Sequence, residues 1–158
     1  MAVREIVLRH LNGAADWIAP VQNFNSLVGM SMVEWRRDFA RIRLDIRPEH
    51  ANGFGFVHGG VLLTLLDTVS GFAGIHTDET ADPIGCVTVA MNSKFIHPAQ
   101  SGSLHAEARA QGGGKTIFFT YAEIRDDAGN LVATGDGTFR FRKLPPELVE
   151  KIKAEAAA

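Results

Sequence analysis

Between Gly59 and Ile75 the chain carries one ionisable side chain, Asp67, in a stretch otherwise built from apolar and small residues and opened by the glycine pair Gly59 and Gly60. That run predicts a helix, and a helix this apolar has to be enclosed by the rest of the fold. At about 100° per residue, Asp67 shares a face with Gly60, Leu63, Thr64, Ser70, Gly71 and Gly74, while Val61, Leu62, Leu65, Val69 and Phe72 lie opposite. The helix is therefore expected to have an apolar back and a small, polar front. A buried lone carboxylate is costly, so it is usually paired, protonated or functional. Two readings of Asp67 follow: an anchor bonded to Thr64 or to a strand, or a reacting acid.

The start of such a helix has chemistry of its own. Its first backbone N–H groups lack intrahelical acceptors and carry the positive end of the helix dipole, which suits an oxygen that is becoming an oxyanion. Gly59 and Gly60 are either packing glycines or glycines that let a substrate approach that backbone, where a Cβ would obstruct it. Asp67 lies eight residues beyond Gly59, roughly 12 Å along the axis at the usual rise. The two groups are too far apart to serve one reaction centre within a single helix. If both act on one substrate, a second copy of the helix, packed antiparallel across a dimer axis, has to supply the acid.

The elements on either side enclose this helix. Val3, Ile6, Val7, Leu11, Ala14 and Trp17 recur at helical spacing, and residues 1–26 are expected to form a helical cover, with a break or kink at Asn12 and Gly13. Strands are predicted at Leu27 to Trp35 and at Phe39 to Arg47, the second alternating Ile42, Leu44 and Ile46 with Arg41, Arg43, Asp45 and Arg47. Four more follow at Gly85 to His97, Ser103 to Ala110, Thr116 to Arg125 and Leu131 to Arg142, joined through Pro98–Gly102, Gly112–Gly114 and Asp126–Asn130, all read as hairpin connections. Pro145 and Pro146 introduce a tail helix over Glu147 to Ala156, within a tail spanning 145–158. The order predicts an α+β fold, an antiparallel sheet wrapped around one central helix, in a single domain over 1–158. No repeat or low-complexity linker argues for a second one.

Composition narrows the class. The 158 residues, 46% hydrophobic and 22% charged, suffice for a sizeable core, and a net charge of -2 gives no strong attraction to nucleic acid or anionic membrane. The one cysteine, Cys86, excludes an intrachain disulfide framework and suits a reducing cytoplasm. Arg4, Glu5, Arg9 and His10 interrupt any amino-terminal signal pattern, and Asp67 interrupts a run already short for a membrane span.

The spacing of Asn52, six residues before His58-Gly59-Gly60, with Asp67 nine residues after that histidine, resembles the hotdog-fold acyl-CoA thioesterases of the phenylacetate-degradation (PaaI-like) type. The likeness continues through Val87 to Ala99 and in Gly114-Lys115-Thr116, and covers roughly Leu27 to Arg142. It implies hydrolysis of an acyl-CoA to a free acid and coenzyme A by a homodimer as minimal unit, with a homotetramer as the assembly. Coenzyme A would enter as part of the substrate, with no separate cofactor.

The resemblance also assigns roles. Asp67 would attack the thioester carbonyl to give a mixed anhydride, or act as general base on water. The Gly59 amide would be the oxyanion donor, a kind of group worth ~3 kcal/mol elsewhere. Asn52, which beside Gly53 also suits a simple turn, would sit at the substrate carbonyl or the attacking water. Thr88 falls where the family has Ser or Thr and would bind the water or, across the dimer, the acid. His58 would be a motif residue with a mainly structural role, as would Gly60. Phe54 and Phe56 are candidate acyl-pocket residues as well as candidate core. The acyl group is left open between aryl, arylacetyl and medium-chain.

Two other motifs fail. Gly112-Gly113-Gly114-Lys115-Thr116 hints at a phosphate loop, but the first glycine that motif requires falls on Arg109, and a strand follows where a helix is needed. Lys115 and Thr116 keep two readings, an exposed turn or a contact to the phosphates or pantetheine of coenzyme A. The six histidines show no ligand spacing, so no metal site is expected. The competing functions are an acyl-CoA binding protein without turnover and a hotdog enoyl-CoA hydratase, although the Asp and His pair on one hydration loop is not evident.

Overall fold

The computed structural model of the chain describes residues 24–77 and 81–157, so the helical cover expected over 1–26 lies outside the described residues up to residue 23. In chain order come a short helix α1 (Phe24–Val28), strands β1 (Met30–Arg36) and β2 (Phe39–Asp45), and a 3-10 turn at Pro48–His50. The long helix α2 (Gly59–Gly74) follows, then β3 (Ile84–Phe95), β4 (Ser103–Gly113), β5 (Ile117–Asp126), β6 (Leu131–Lys143) and a terminal helix α3 (Pro146–Ala157). The strands form one six-stranded antiparallel sheet in the order β1-β2-β4-β5-β6-β3. Helix α2 touches all six strands and packs chiefly on β4 and β5. The α+β arrangement of a sheet around one helix is the one the sequence predicts.

Period-two alternation builds the contact. Leu104, Ala106 and Ala108 of β4 and Ala122 and Ile124 of β5 point toward α2, which buries Leu62, Leu65, Leu66, Val69 and Ala73 against them. Each leucine so enclosed contributes about 1.5–3 kcal/mol, and the alanines let the helix approach closely. On the opposite face Arg41 pairs Glu107 at 2.7 Å and Arg125 pairs Glu123 at 2.8 Å, beside the exposed apolar side chains of Ile117 and Phe119. The tail helix is fastened by Ile152, which is buried, and by the Lys153 to Asp82 ion pair at 2.7 Å.

Three expectations are corrected. Leu27 to Gly29 is not strand: α1 ends at Val28, and Gly29, at φ 85°, takes the left-handed conformation that turns the chain into β1. Pro98–Gly102 is no hairpin, because β3 pairs with β6 at the sheet edge and the chain must cross to the middle of the sheet to begin β4. The small front of α2 is not a polar face throughout either. Ser70 and Gly71 are buried, Gly71 lies under Cys86, and a Cβ on Gly74 would collide with the Phe118 ring. In its second half, that face is small because the sheet closes over it.

Candidate active site

Helix α2 and edge strand β3 lie side by side in opposite directions, as three contacts show: Gly59 with Phe95, Asp67 with Thr88, and Gly71 with Cys86. The Thr88 hydroxyl donates to Oδ1 of Asp67 at 2.7 Å. Oδ2 meets no protein donor among the described residues. The carboxylate is half-buried, held by one hydroxyl on a flank of α2 that its own chain leaves open. Thr88 thus reaches the acid of its own subunit. β3 runs along the same subunit's helix closely enough to deliver it.

At the helix start the amides are distributed unequally. The Gly60 N–H is capped by Nδ1 of His58 at 2.9 Å, and Val61 and Leu62 donate to the His58 carbonyl at 2.9 and 3.3 Å. The Gly59 N–H meets no protein acceptor among the described residues. Accepting a backbone N–H commits the Nδ1 lone pair of His58 and leaves the ring proton on Nε2, so the histidine acts as a cap. A Cβ at Gly59 would stand 3.5 Å from the Phe95 ring, an ordinary contact, so nothing in the described chain demands glycine there. A Cβ at Gly60 would stand 3.0 Å from His58 Nδ1 and crowd the cap.

Asn52 closes its loop with one end of its carboxamide. Oδ1 accepts from the amides of Phe54 and Phe56 at 2.9 and 3.2 Å, and the Asn52 N–H donates to the Phe56 carbonyl at 2.7 Å. Nδ2 is left as a donor without a protein acceptor among the described residues. The loop is set against the helix start by Val57 donating to Ala99 and His58 donating to His50, both at 2.8 Å. The turn-forming role of Asn52 is therefore real, and it uses only the oxygen of the carboxamide.

The remaining candidates are spread out. Phe54 is 87% exposed at the loop tip and Phe56 is half-buried. An open groove of about 910 Å³ flanks the start of α2 between Leu27, Val28, Arg47, His58, Val61 and Thr64, and neither phenylalanine lines it. Lys115 and Thr116 are exposed in the β4–β5 turn, next to Gly112, Gly113 and Gly114, which share a small cavity with Gly74 at the far end of α2. That places them fifteen residues of helix from Gly59, roughly 22 Å, so one subunit does not bring them to its own helix start. Burial pushes the Cys86 thiol up to about 11, with the nearby Asp67 charge adding to the shift. Among the described residues no group of three His, Cys, Asp or Glu is placed to hold a metal ion, and no helix is long and apolar enough to cross a membrane.

Sequence reading missed Phe95. Thr88 and Phe95 are seven residues apart, an odd spacing that puts them on opposite faces of a regular strand. The register of β3 on β6 shifts between Thr88 and Ala90, leaving Val89 as an extra residue. This bulge turns both side chains toward α2, as bulges beside functional sites often do. An exposed apolar residue ending a strand was the one available signal.

Comparison with known proteins identifies the family. The family model described as the thioesterase superfamily matches residues 54–133. Acyl-coenzyme A thioesterase 13 of Homo sapiens is 31% identical over 120 residues, covering 74% of this chain and 84% of the relative. A phenylacetic acid degradation-related protein of Ralstonia eutropha JMP134 superposes with a TM-score of 0.68 at 27% identity, covering 84% of this chain and 96% of that one. The PaaI protein of the E. coli phenylacetic acid degradation operon shares the fold, with a TM-score of 0.67 at 23% identity over 76% of this chain and 83% of its own. With family model, relatives and fold in agreement, the chain belongs to the thioesterase superfamily, as a hotdog-fold thioester hydrolase.

Proposed function

We propose that the protein hydrolyses an acyl-CoA to the free acid and coenzyme A, with Asp67 as nucleophile or general base and the Gly59 N–H as oxyanion donor. The observation that carries this reading is the pairing of two incomplete groups. One is a carboxylate held through Oδ1 with Oδ2 open, and the other is a helix-start amide without an acceptor. In the nucleophilic route Oδ2 bonds the thioester carbon, the C–S bond breaks, coenzyme A leaves as thiolate, and water then opens the mixed anhydride. In the general-base route, the same oxygen takes a proton from the attacking water. In both, negative charge on the carbonyl oxygen is met by the Gly59 N–H and Nδ2 of Asn52, donors that strengthen as that charge develops.

The site is completed by a second subunit. α2 is continuous from Gly59 to Gly74, so its own Asp67 remains roughly 12 Å from its own Gly59 amide. The open flank of the helix carries Leu63, and the adjoining β3 edge exposes Val87 at 44% and Val89 at 59%. Such an apolar edge strand is a surface that natural proteins cover. Two chains packed antiparallel there bring each Asp67 to the other's Asn52 and Gly59. The same packing carries the Lys115 and Thr116 turn toward the partner's substrate loop, where they meet the coenzyme A portion. A homodimer is thus the minimal unit, and a homotetramer, a cytoplasmic setting and the absence of any added cofactor go with this reading. Aryl, arylacetyl and medium-chain thioesters are the acyl groups to test first.

The test is thiol release by the purified protein over aromatic, short, medium and long acyl-CoAs, with a chelator present. Turnover of at least one thioester is expected. Acyl-CoA binding without release supports the non-catalytic binding protein instead, and hydration of crotonyl-CoA supports the hydratase.

A further inference from the structure

Phe95 ends β3 beside Gly59. Its ring edge lies 3.5–3.9 Å from the position of a Gly59 Cβ, one bond from the Cα that carries the unaccepted amide. Phe95 nevertheless stays 56% exposed, with Ile96 beside it at 53%. A phenylalanine serving the core of its own chain would be enclosed, as Phe39 and Phe139 are at 1%. Its placement depends on the Val89 bulge, which directs Thr88 to Asp67 and Phe95 to Gly59 along one strand. One irregularity thus supplies both the group that holds the acid and the surface beside the oxyanion donor.

We infer that Phe95 is a positioning residue of the thioester site, its ring forming a water-excluding wall beside the Gly59 amide. An N–H group flanked by apolar surface has fewer competing waters and acts in a lower effective dielectric, so its bond to a developing oxyanion strengthens. The neutral thioester carbonyl of the ground state gains much less from the same surroundings. The wall therefore acts on kcat and leaves KM nearly unchanged, and it acts through its apolar bulk, which leucine largely reproduces. This inference rests on the Gly59 amide being the oxyanion donor.

The experiment compares wild type with Phe95→Leu, Phe95→Ala and Phe95→Gln on the best thioester of the panel, with circular dichroism confirming the fold of each. The exposed ring makes folding of these variants the expectation, and the leucine variant guards against collapse of the smaller one. The expected result is a ~10-fold lower kcat for Phe95→Ala and Phe95→Gln, a fraction of the loss from removing an oxyanion donor outright. KM should stay within about 3-fold, and Phe95→Leu within about 3-fold of wild-type kcat. A full wild-type kcat in Phe95→Gln overturns the inference, as does a loss that appears in KM alone or a Phe95→Leu variant as slow as Phe95→Ala. A wild-type protein that releases no thiol from any thioester overturns the hydrolase reading itself. Turnover that ignores Phe95 overturns the wall alone.

Discussion

The Thr88 hydroxyl donates to Oδ1 of Asp67 at 2.7 Å, so within one subunit a strand residue fixes which carboxylate oxygen remains open. Removing that bond while keeping the shape, as Thr88→Val does, should lower kcat by ~10-fold, because the acid loses its orientation in the transition state. Thr88→Ser keeps the donor and should retain most of the activity. Asp67→Ala should lose at least ~10²-fold while the protein stays folded. Steady-state thiol release and circular dichroism on the three variants decide the matter, and a near-normal rate for Asp67→Ala would leave the carboxylate a structural anchor.

Two glycines of the same helix should respond in opposite ways. A Cβ at Gly59 meets ordinary contacts in its own chain, so Gly59→Ala should leave the melting temperature unchanged or raised, as helix alanines stabilise by ~0.4–1 kcal/mol. Its kcat should nevertheless fall by ~10²-fold, since the methyl stands where the substrate approaches the amide. Gly74→Ala drives a methyl into the Phe118 ring and should cost ~1–3 kcal/mol of stability through overpacking. Thermal melts alongside rates separate the two outcomes.

Cys86 should be unreactive at neutral pH. Burial beneath α2 and the Asp67 charge hold its thiol up at about 11, above the ordinary 9.0. Because the thiolate is the reactive form, alkylation of the folded protein should stay slow at pH 8 and accelerate toward pH 11. The linkage has the same sign: the folded state holds the proton more tightly, so this contribution to stability is complete below pH 9 and lost as pH rises toward 11. Mass spectrometry of iodoacetamide-treated protein across that range checks it. Rapid modification at pH 8 would show that the helix does not cover the thiol.

The central helix, its glycine start and its lone acid were legible because apolar periodicity and spacing are local properties of the chain. The alternating strands were legible for the same reason, to within a few residues at their ends. What was not legible depends on register. The bulge at Val89 shifts parity in the middle of β3, so nothing in the alternation places Phe95 and Thr88 on one face. The crossover after β3 was hidden because Pro98–Gly102 looks like any other turn, and only the pairing of β3 with β6 shows that the chain must cross the sheet. Gly71 and Gly74 read as part of a small, polar front, whereas Cys86 and Phe118 from distant strands pack against it. In the sequence Asn52 carried both a turn and a site reading, and the two are compatible because only its oxygen closes the loop.

The claim that one active site is shared by two subunits is tested most directly by mixing two inactive variants. Asn52→Ala and Asp67→Ala should each be nearly inactive alone. When the two are refolded together, a mixed dimer has one site carrying both changes and one carrying neither. With full exchange, half the dimers are mixed and each has one intact site, so about a quarter of wild-type activity should return. Mixed dimers confirmed by native mass spectrometry but showing no recovered activity would contradict the shared site, because every site would then draw both residues from a single chain.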